Sequence, residues 1–297
     1  MHVIDDTNEL WQLRYQEHGR ENGAATYSRE LVKYQVPIWQ RLIEQTDIDP
    51  DKVVISTCPL INETDLALLP RDTELVVQYL HRYPHREPMT DVAKVLKALP
   101  GVKNIVFVTA YNSFAHYLRK QGVNVIFMPM TVDNTELLKI AATQEKHNQK
   151  RVIYFGNLLH GKQRVYPLIK AAFEKAGWKF DTIADGYFNG KQKVNQQEAW
   201  QIISQYSYGI GVGRCALEMY ELGLKVVVCG KAFAGLVTNE REFAAQIGTN
   251  FNARVVTFDR TIDTCIACID DSGIFTHSIQ RQLPEVEKII SDYVGAL

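Results

Sequence analysis

Two short stretches combine glycine, a basic side chain and the start of a helical pattern. The first, YFGNLLHGKQRVYPLIKAAFEKAG, leaves a β-branched run at Phe155, opens a loop with Gly156 and Asn157, and reaches Lys162 before a helix. The second, GIGVGRCALEMYELGLKVVVCG, puts glycines at 209, 211 and 213 ahead of Arg214, Cys215 and Ala216. A helix N-terminus offers N–H groups and the positive end of the helix dipole, which suit phosphate. Glycine at 213 would let the backbone come close to a ligand. Lys162 and Arg214 would set fixed positive charge against a diphosphate. Glu218, one turn into the second helix, offers a carboxylate to the two hydroxyls of a ribose. Each feature also has a plain reading: turn geometry, a solvated loop lysine, a surface glutamate. Taken together in consecutive units, they suit a nucleotide with its phosphates on the helix end and its ribose on the acidic side chain.

Other residues are candidates by position. VVQYLHRYPHRE ends a strand pattern and brings His81 and His85 to its carboxyl end, where histidine serves as acid, base or hydrogen-bond donor. His81 comes first after the strand and is the better catalytic candidate. Tyr111 and Asn112 follow VFVT and are expected to line an acceptor. KAFAGLVTNEREF, with Ala232, Ala234 and Gly235, reads as a small-residue loop after the Val226–Cys229 strand. Cys265 and Cys268 form a CxxC, but TIDTCIACIDD also buries Ile262, Cys265, Ile266 and Ile269 at helical spacing, and a core role is the expectation.

These residues need a frame to position them. Apolar β-branched runs predict strands over Val53–Ser56, Leu75–Tyr79, Ile105–Thr109, Val123–Met128, Val152–Phe155, Phe180–Ile183, Tyr208–Val212, Val226–Cys229 and Val255–Phe258. Helical patterns lie between them, including Ala25–Glu44 (with Pro37 expected to kink or break it), Gln163–Ala176 and Arg214–Leu222. Strand–helix alternation predicts mainly parallel sheets covered on both faces. The polar, aperiodic ATQEKHNQKR suggests a boundary, giving α/β halves over 1–140 and 150–283 and a last helix over 284–297.

Bulk properties narrow the function classes. The 297 residues carry a net charge of −1 and 46% hydrophobic residues, as in a globular protein without a general drive toward nucleic acid or anionic membrane. Neither a signal-peptide core nor a span of about 20 apolar residues is found, which leaves peripheral membrane contact open. Five scattered cysteines favour a reduced, cytoplasmic setting.

GVGRCALEMYELGLKVVVCG resembles the nucleotide-sugar-binding segment of GT-B glycosyltransferases of the family 4 type, and YFGNLLHGKQRVYPLIKAAFEKAG is similar to the first strand–loop–helix of their donor domain. FMPMTVDN resembles the segment leading into their linker, and ENGAATYSRELVKY the glycine loop and first helix of their acceptor domain. The resemblance implies two Rossmann-like α/β domains facing a cleft. In that family Gly156, Asn157 and Lys162 would lie along the donor diphosphate and Gly213, Arg214, Cys215 and Ala216 would form its helix-end phosphate site. Glu218 would hold the ribose, Gly23 would face the donor, and His81 would contact the transferred sugar. A nucleotide-sugar would be the donor substrate, with no cofactor, and a saccharide or lipid-linked saccharide the acceptor, in preference to nucleic acid.

Two positions depart from the family pattern. Ile210 stands where many retaining members carry a first glutamate, and Asn157 where many carry arginine. No Asp-x-Asp element reads as the carboxylate pair of a catalytic metal, so a metal-independent transfer is expected, with fixed cations and helix dipoles stabilising the leaving diphosphate. The rival readings are a nucleotide-sugar epimerase, a non-catalytic module on the same fold and, as a minor alternative, a DNA-base glucosyltransferase.

Overall fold

The computed structural model describes residues 1–4, 31–57, 60–61, 63, 69–80, 89–130, 134–143, 150–158, 161–253, 261–269 and 288–293. The chain is α/β and divides into two compact units, Met1–Thr131 with Arg281–Leu297, and Val132–Gln280.

The first unit holds a parallel sheet of β1 (His2–Ile4), β2 (Val53–Ser56), β3 (Leu75–Leu80), β4 (Asn104–Thr109) and β5 (Val125–Phe127), in that spatial order. Among the described strands the order follows the sequence, without the reversal that marks a doubly wound sheet. All six residues of β3 are buried, as in a strand covered on both faces. On one face Val76, Phe107 and Val125 pack with Val92 and Val95 of α2 (Met89–Ala98) and Phe114 and Leu118 of α3 (Asn112–Lys120). Strand alternation turns Tyr79 to the other face. There its hydroxyl accepts from Trp39 Nε1 at 3.1 Å and donates to Gln35 Oε1 at 2.9 Å. Trp39 lies on α1 (Val36–Ile43). The helical segment 288–293 joins this unit: Tyr293 meets Trp39 edge-on at 6.0 Å and accepts from Asn124 Nδ2.

Helix type changes at Pro37, as its place in the helical pattern predicts. The proline falls in the first turn of α1, where a missing N–H is harmless, and a π-helical turn, Leu31–Gln35, precedes it. Asp49, within Asp47-Ile48-Asp49, accepts from Asp51 N and caps the 3₁₀ turn Pro50–Lys52.

Among the described residues the second unit holds seven strands: β6 (Arg151–Gly156), β7 (Lys179–Ala184), β8 (Tyr187–Phe188), β9 (Gln192–Lys193), β10 (Tyr208–Gly211), β11 (Lys225–Cys229) and β12 (Phe233–Leu236). They lie in the order β12-β11-β10-β6-β7-β8-β9. β6, β7, β10 and β11 are parallel, whereas β8, β9 and β12 run antiparallel to their neighbours. Its helices are α4 (Asn134–Thr143), α5 (Tyr166–Lys175), α6 (Gln196–Ile203), α7 (Arg214–Glu221), α8 (Glu240–Ile247) and α9 (Ile262–Ile269).

Chain order reverses at β6. From there α5 leads to β7 on one side, and α6 later brings the chain back to β10 on the other. Val152, Tyr154, Ile210 and Val227 pack with Ile169 and Phe173 of α5 and with Cys265, Ile266 and Ile269 of α9. Cys265 is fully buried and serves as a core residue.

β8, β9 and β12 are absent from the sequence-based strand assignment. Asp185-Gly186 (φ 52° and 82°) is the left-handed pair of a two-residue hairpin between β7 and β8, and Asn189-Gly190 (φ 49° and 69°) opens the three-residue turn between β8 and β9, yet these two strands are only two residues long. KAFAGLV is not a loop. β12 pairs antiparallel with β11, and Gly230–Ala232 form the tight tip between them.

Candidate functional site

The reversal at β6 falls at the carboxyl ends of β6 and β10, the position where open α/β sheets bind ligands. Three turns meet there and pack on one another. After β6 come Asn157, Leu158, Gly161 and Lys162. After β10 come Val212, Gly213 and the first turn of α7. After β11 comes the hairpin tip at Lys231. A Cβ placed on Gly156 would lie 3.9 Å from Cys215 Sγ, one on Gly161 3.9 Å from Lys231 Cγ, and one on Gly230 3.1 Å from Val212.

Lys162 is held here by local structure. Gly161 takes the left-handed φ of 88°, and a 3₁₀ turn, Lys162–Arg164, leads toward α5. Lys162 Nζ donates to Asn157 Oδ1 at 2.9 Å, and Asn157 O accepts from the Tyr154 hydroxyl at 3.2 Å. Burial lowers the Lys162 pKa below its usual value, opposed by Cys215 and Asp185 and reinforced by the like charge of Lys231. Half-buried Cys215 stays a neutral thiol, its pKa pushed up to about 12 by burial and then by the Glu218 carboxylate.

The glycines of GIGVG divide their work. A Cβ on Gly209 would fall 2.4 Å from Met219 Sδ, and one on Gly211 2.6 Å from Met219 Cε and 3.0 Å from Phe155 O. Those two glycines let α7 lie close on its strand. Gly213 alone belongs to the turn, with φ 62° and ψ −136°, a conformation open essentially to glycine. Its N–H donates to Phe251 O at 2.7 Å, and its carbonyl accepts from Ala216 N at 3.0 Å. Two of the four N–H groups expected to cradle phosphate are therefore engaged within the protein, and the Ala216 side chain is fully buried.

Glu218 also departs from expectation. It is 2% exposed. One carboxylate oxygen accepts from Arg214 Nε and, at 3.4 Å, from Gln196 Nε2, and the other accepts from Trp200 Nε1 at 2.8 Å. A ribose would have to displace these donors. The reason is helical spacing: residues four apart share a face, so Arg214 and Glu218 pair with each other, and α6 closes over them. Arg214 thus spends part of its guanidinium inside the protein.

Lys231 is the residue that sequence reasoning missed. The readable signal was its place directly after Gly230 at the end of the VVVC strand. In the first unit, Tyr111 is buried in the core cluster and does not line a surface, while Asn112 is exposed as the first residue of α3. Gly23, His81, His85 and the Val255–Phe258 strand lie outside the described residues, as does the Cys268 side chain.

No protein-family model matches this sequence, and no curated protein matches it. Among the described residues no helix is long and apolar enough to cross a membrane.

Proposed function

We propose that the protein is a nucleotide-sugar-dependent glycosyltransferase that moves a sugar to a hydroxyl acceptor, a saccharide or lipid-linked saccharide, with the donor diphosphate bound on the second unit. The observation that carries this reading is the position of Lys162. Its ammonium is bonded to Asn157 in the turn after β6, where strand order reverses, and Gly156 of the same turn lies against Cys215 of the first turn of α7. A partly buried cation beside a helix N-terminus stabilises negative charge that builds on a leaving diphosphate. Lys162 would hold the diphosphate, Gly156 and Gly213 would let it approach, and Cys215 would wall it. Glu218 fixes Arg214 and α6, and acts on the donor only through them. His81 is proposed as the group meeting the transferred sugar, and Gly23 and Asn112 as acceptor-side residues.

A panel of UDP, GDP, ADP and CMP in a thermal-shift assay tests the donor site, with stabilisation by a nucleoside diphosphate expected. No shift with any of them overturns the reading. Product analysis with a nucleotide-sugar alone and with acceptor then separates a transferase from an epimerase, which converts the donor unaided.

One observation favours a non-catalytic module on this fold. Ile210, at the first-glutamate position of the resembling family, is fully buried in the β10 core, so this position has no route to a sugar. Nucleotide binding without turnover of any nucleotide-sugar would select this second reading.

A further inference from the structure

We propose that Lys231 is the second cation of this anion site and that the Lys162–Lys231 pair selects two linked phosphates over one; this rests on the donor-diphosphate reading above. The proposal starts from the β11–β12 hairpin. Cys229 pairs with Phe233, and Gly230 N donates to Ala232 O at 2.9 Å, so Lys231 occupies the tip of a turn braced by a sheet. The tip cannot swing away freely. Gly230 lies against Val212, where a Cβ would meet both Val212 methyls at 3.1 Å. On its other side the Lys231 stem passes Gly161, with Cγ 3.9 Å from that residue's Cβ position. Gly161 immediately precedes Lys162 in the chain, so the two lysines come from touching turns that follow the strands on either side of β10.

Two like charges are held together here, and among the described residues no carboxylate is bonded to either. Lys162 Nζ bonds to the neutral amide of Asn157, and the Asp185 carboxylate, at the turn after β7, favours its charged form. Lys231 is exposed, and its charge disfavours the Lys162 ammonium. A polyanion between the two ammoniums would reverse the sign of that interaction for both. A single phosphate reaches one lysine well; two linked phosphates span both. Arg214 commits its Nε to Glu218, so less of its guanidinium is turned to an anion than the sequence suggested.

The test uses the full-length protein and inorganic pyrophosphate and orthophosphate as probes, measured by titration calorimetry at fixed ionic strength. Wild-type protein should bind pyrophosphate more tightly than orthophosphate. Lys231→Ala should weaken pyrophosphate binding by about 10-fold or more, the loss of one charge-assisted hydrogen bond, while orthophosphate binding changes little. Lys231→Arg should restore most of it. Combined with Lys162→Ala, the losses should fall short of additive, because both side chains act on one ligand. Since Lys231 is an exposed turn residue, the variants should keep the wild-type melting temperature. If nucleoside diphosphates bind and Lys231→Ala leaves pyrophosphate affinity unchanged, Lys231 is out of the site and the donor reading stands. If pyrophosphate binding depends on Lys231 but no nucleoside diphosphate binds more tightly than pyrophosphate, the lysine pair stands and the donor reading falls. If pyrophosphate fails to bind while a nucleoside diphosphate does, the lysine pair is wrong and the donor reading stands; if neither binds, both are wrong.

Discussion

Arg214 and Glu218 stand one turn apart on α7 with Nε against Oε1, and Trp200 Nε1 closes the other carboxylate oxygen at 2.8 Å. The pair sits under the proposed anion site and is buried, with side-chain exposures of 15% and 3%. Removing one partner leaves the other charge buried without compensation. Glu218→Ala should therefore destabilise the protein by about 3 kcal/mol, read by urea denaturation, and any loss of nucleotide binding should follow the loss of fold. A surface ribose ligand would behave differently, losing binding with stability unchanged. Replacing both residues, Arg214→Met with Glu218→Leu, should recover much of the stability.

Lys162 faces the opposite compromise. Its ammonium is partly desolvated, so its folded-state pKa lies below the ordinary 10.5. For a base the sign is clear: the folded state binds its proton less tightly than the unfolded chain, so ligand-free stability rises as pH climbs from the folded value toward 10.5. Lys162→Met should slightly raise the ligand-free melting temperature at neutral pH while weakening nucleoside diphosphate binding about 10- to 100-fold. Wild-type affinity should fall on the alkaline side earlier than for an ordinary lysine. An affinity flat to pH 10 would contradict this.

Gly209 and Gly211 are packing glycines, and their variants should separate accordingly. Gly209→Ala collides with the flexible Met219 thioether at 2.4 Å, with Leu224 Cδ2 at 3.1 Å, so Met219→Ala should relieve most of its cost. Gly211→Ala also meets the Phe155 carbonyl at 3.0 Å, and backbone cannot step aside. It should destabilise by about 1–3 kcal/mol, and adding Met219→Ala should give only partial relief. Thermal denaturation of the two pairs decides between these outcomes.

The buried Asp181 makes an acid-sensitive clamp in the second unit. Burial alone would raise its pKa, but hydrogen bonds from Asn189 at 2.9 Å, Arg151 at 3.0 Å and Tyr206 at 2.9 Å hold it below 3.8. A depressed carboxylate contributes stability above its unfolded value, lost as pH falls through the folded one. Asp181→Asn should lower stability at neutral pH and flatten the loss below pH 3.8. Unfolding curves at pH 7 and pH 3 for both proteins would show it.

Much of this frame was legible in the chain. The runs VVIS, LVVQYL and KVVVC could only be strands buried on both faces, because continuous β-branched sequence has no face to give to water. Helix ends at Gly122 and Gly223 were equally local, each requiring a left-handed residue. Such features depend on neighbours along the chain, and sequence alone determined them.

What the tertiary structure decided was the partner of each site residue. Arg214 and Glu218 looked like two ligand contacts and became one ion pair, because α6 covers the face they share. Gly209, Gly211 and Gly213 stand in one run, yet the first two make room for Met219 and only Gly213 belongs to the turn. Lys231 carried no motif at all and gained its place only when the β11 hairpin tip closed on Val212 and Gly161. Local propensity acts over a few residues, whereas the charge and the space at a site are set by side chains brought together from distant strands.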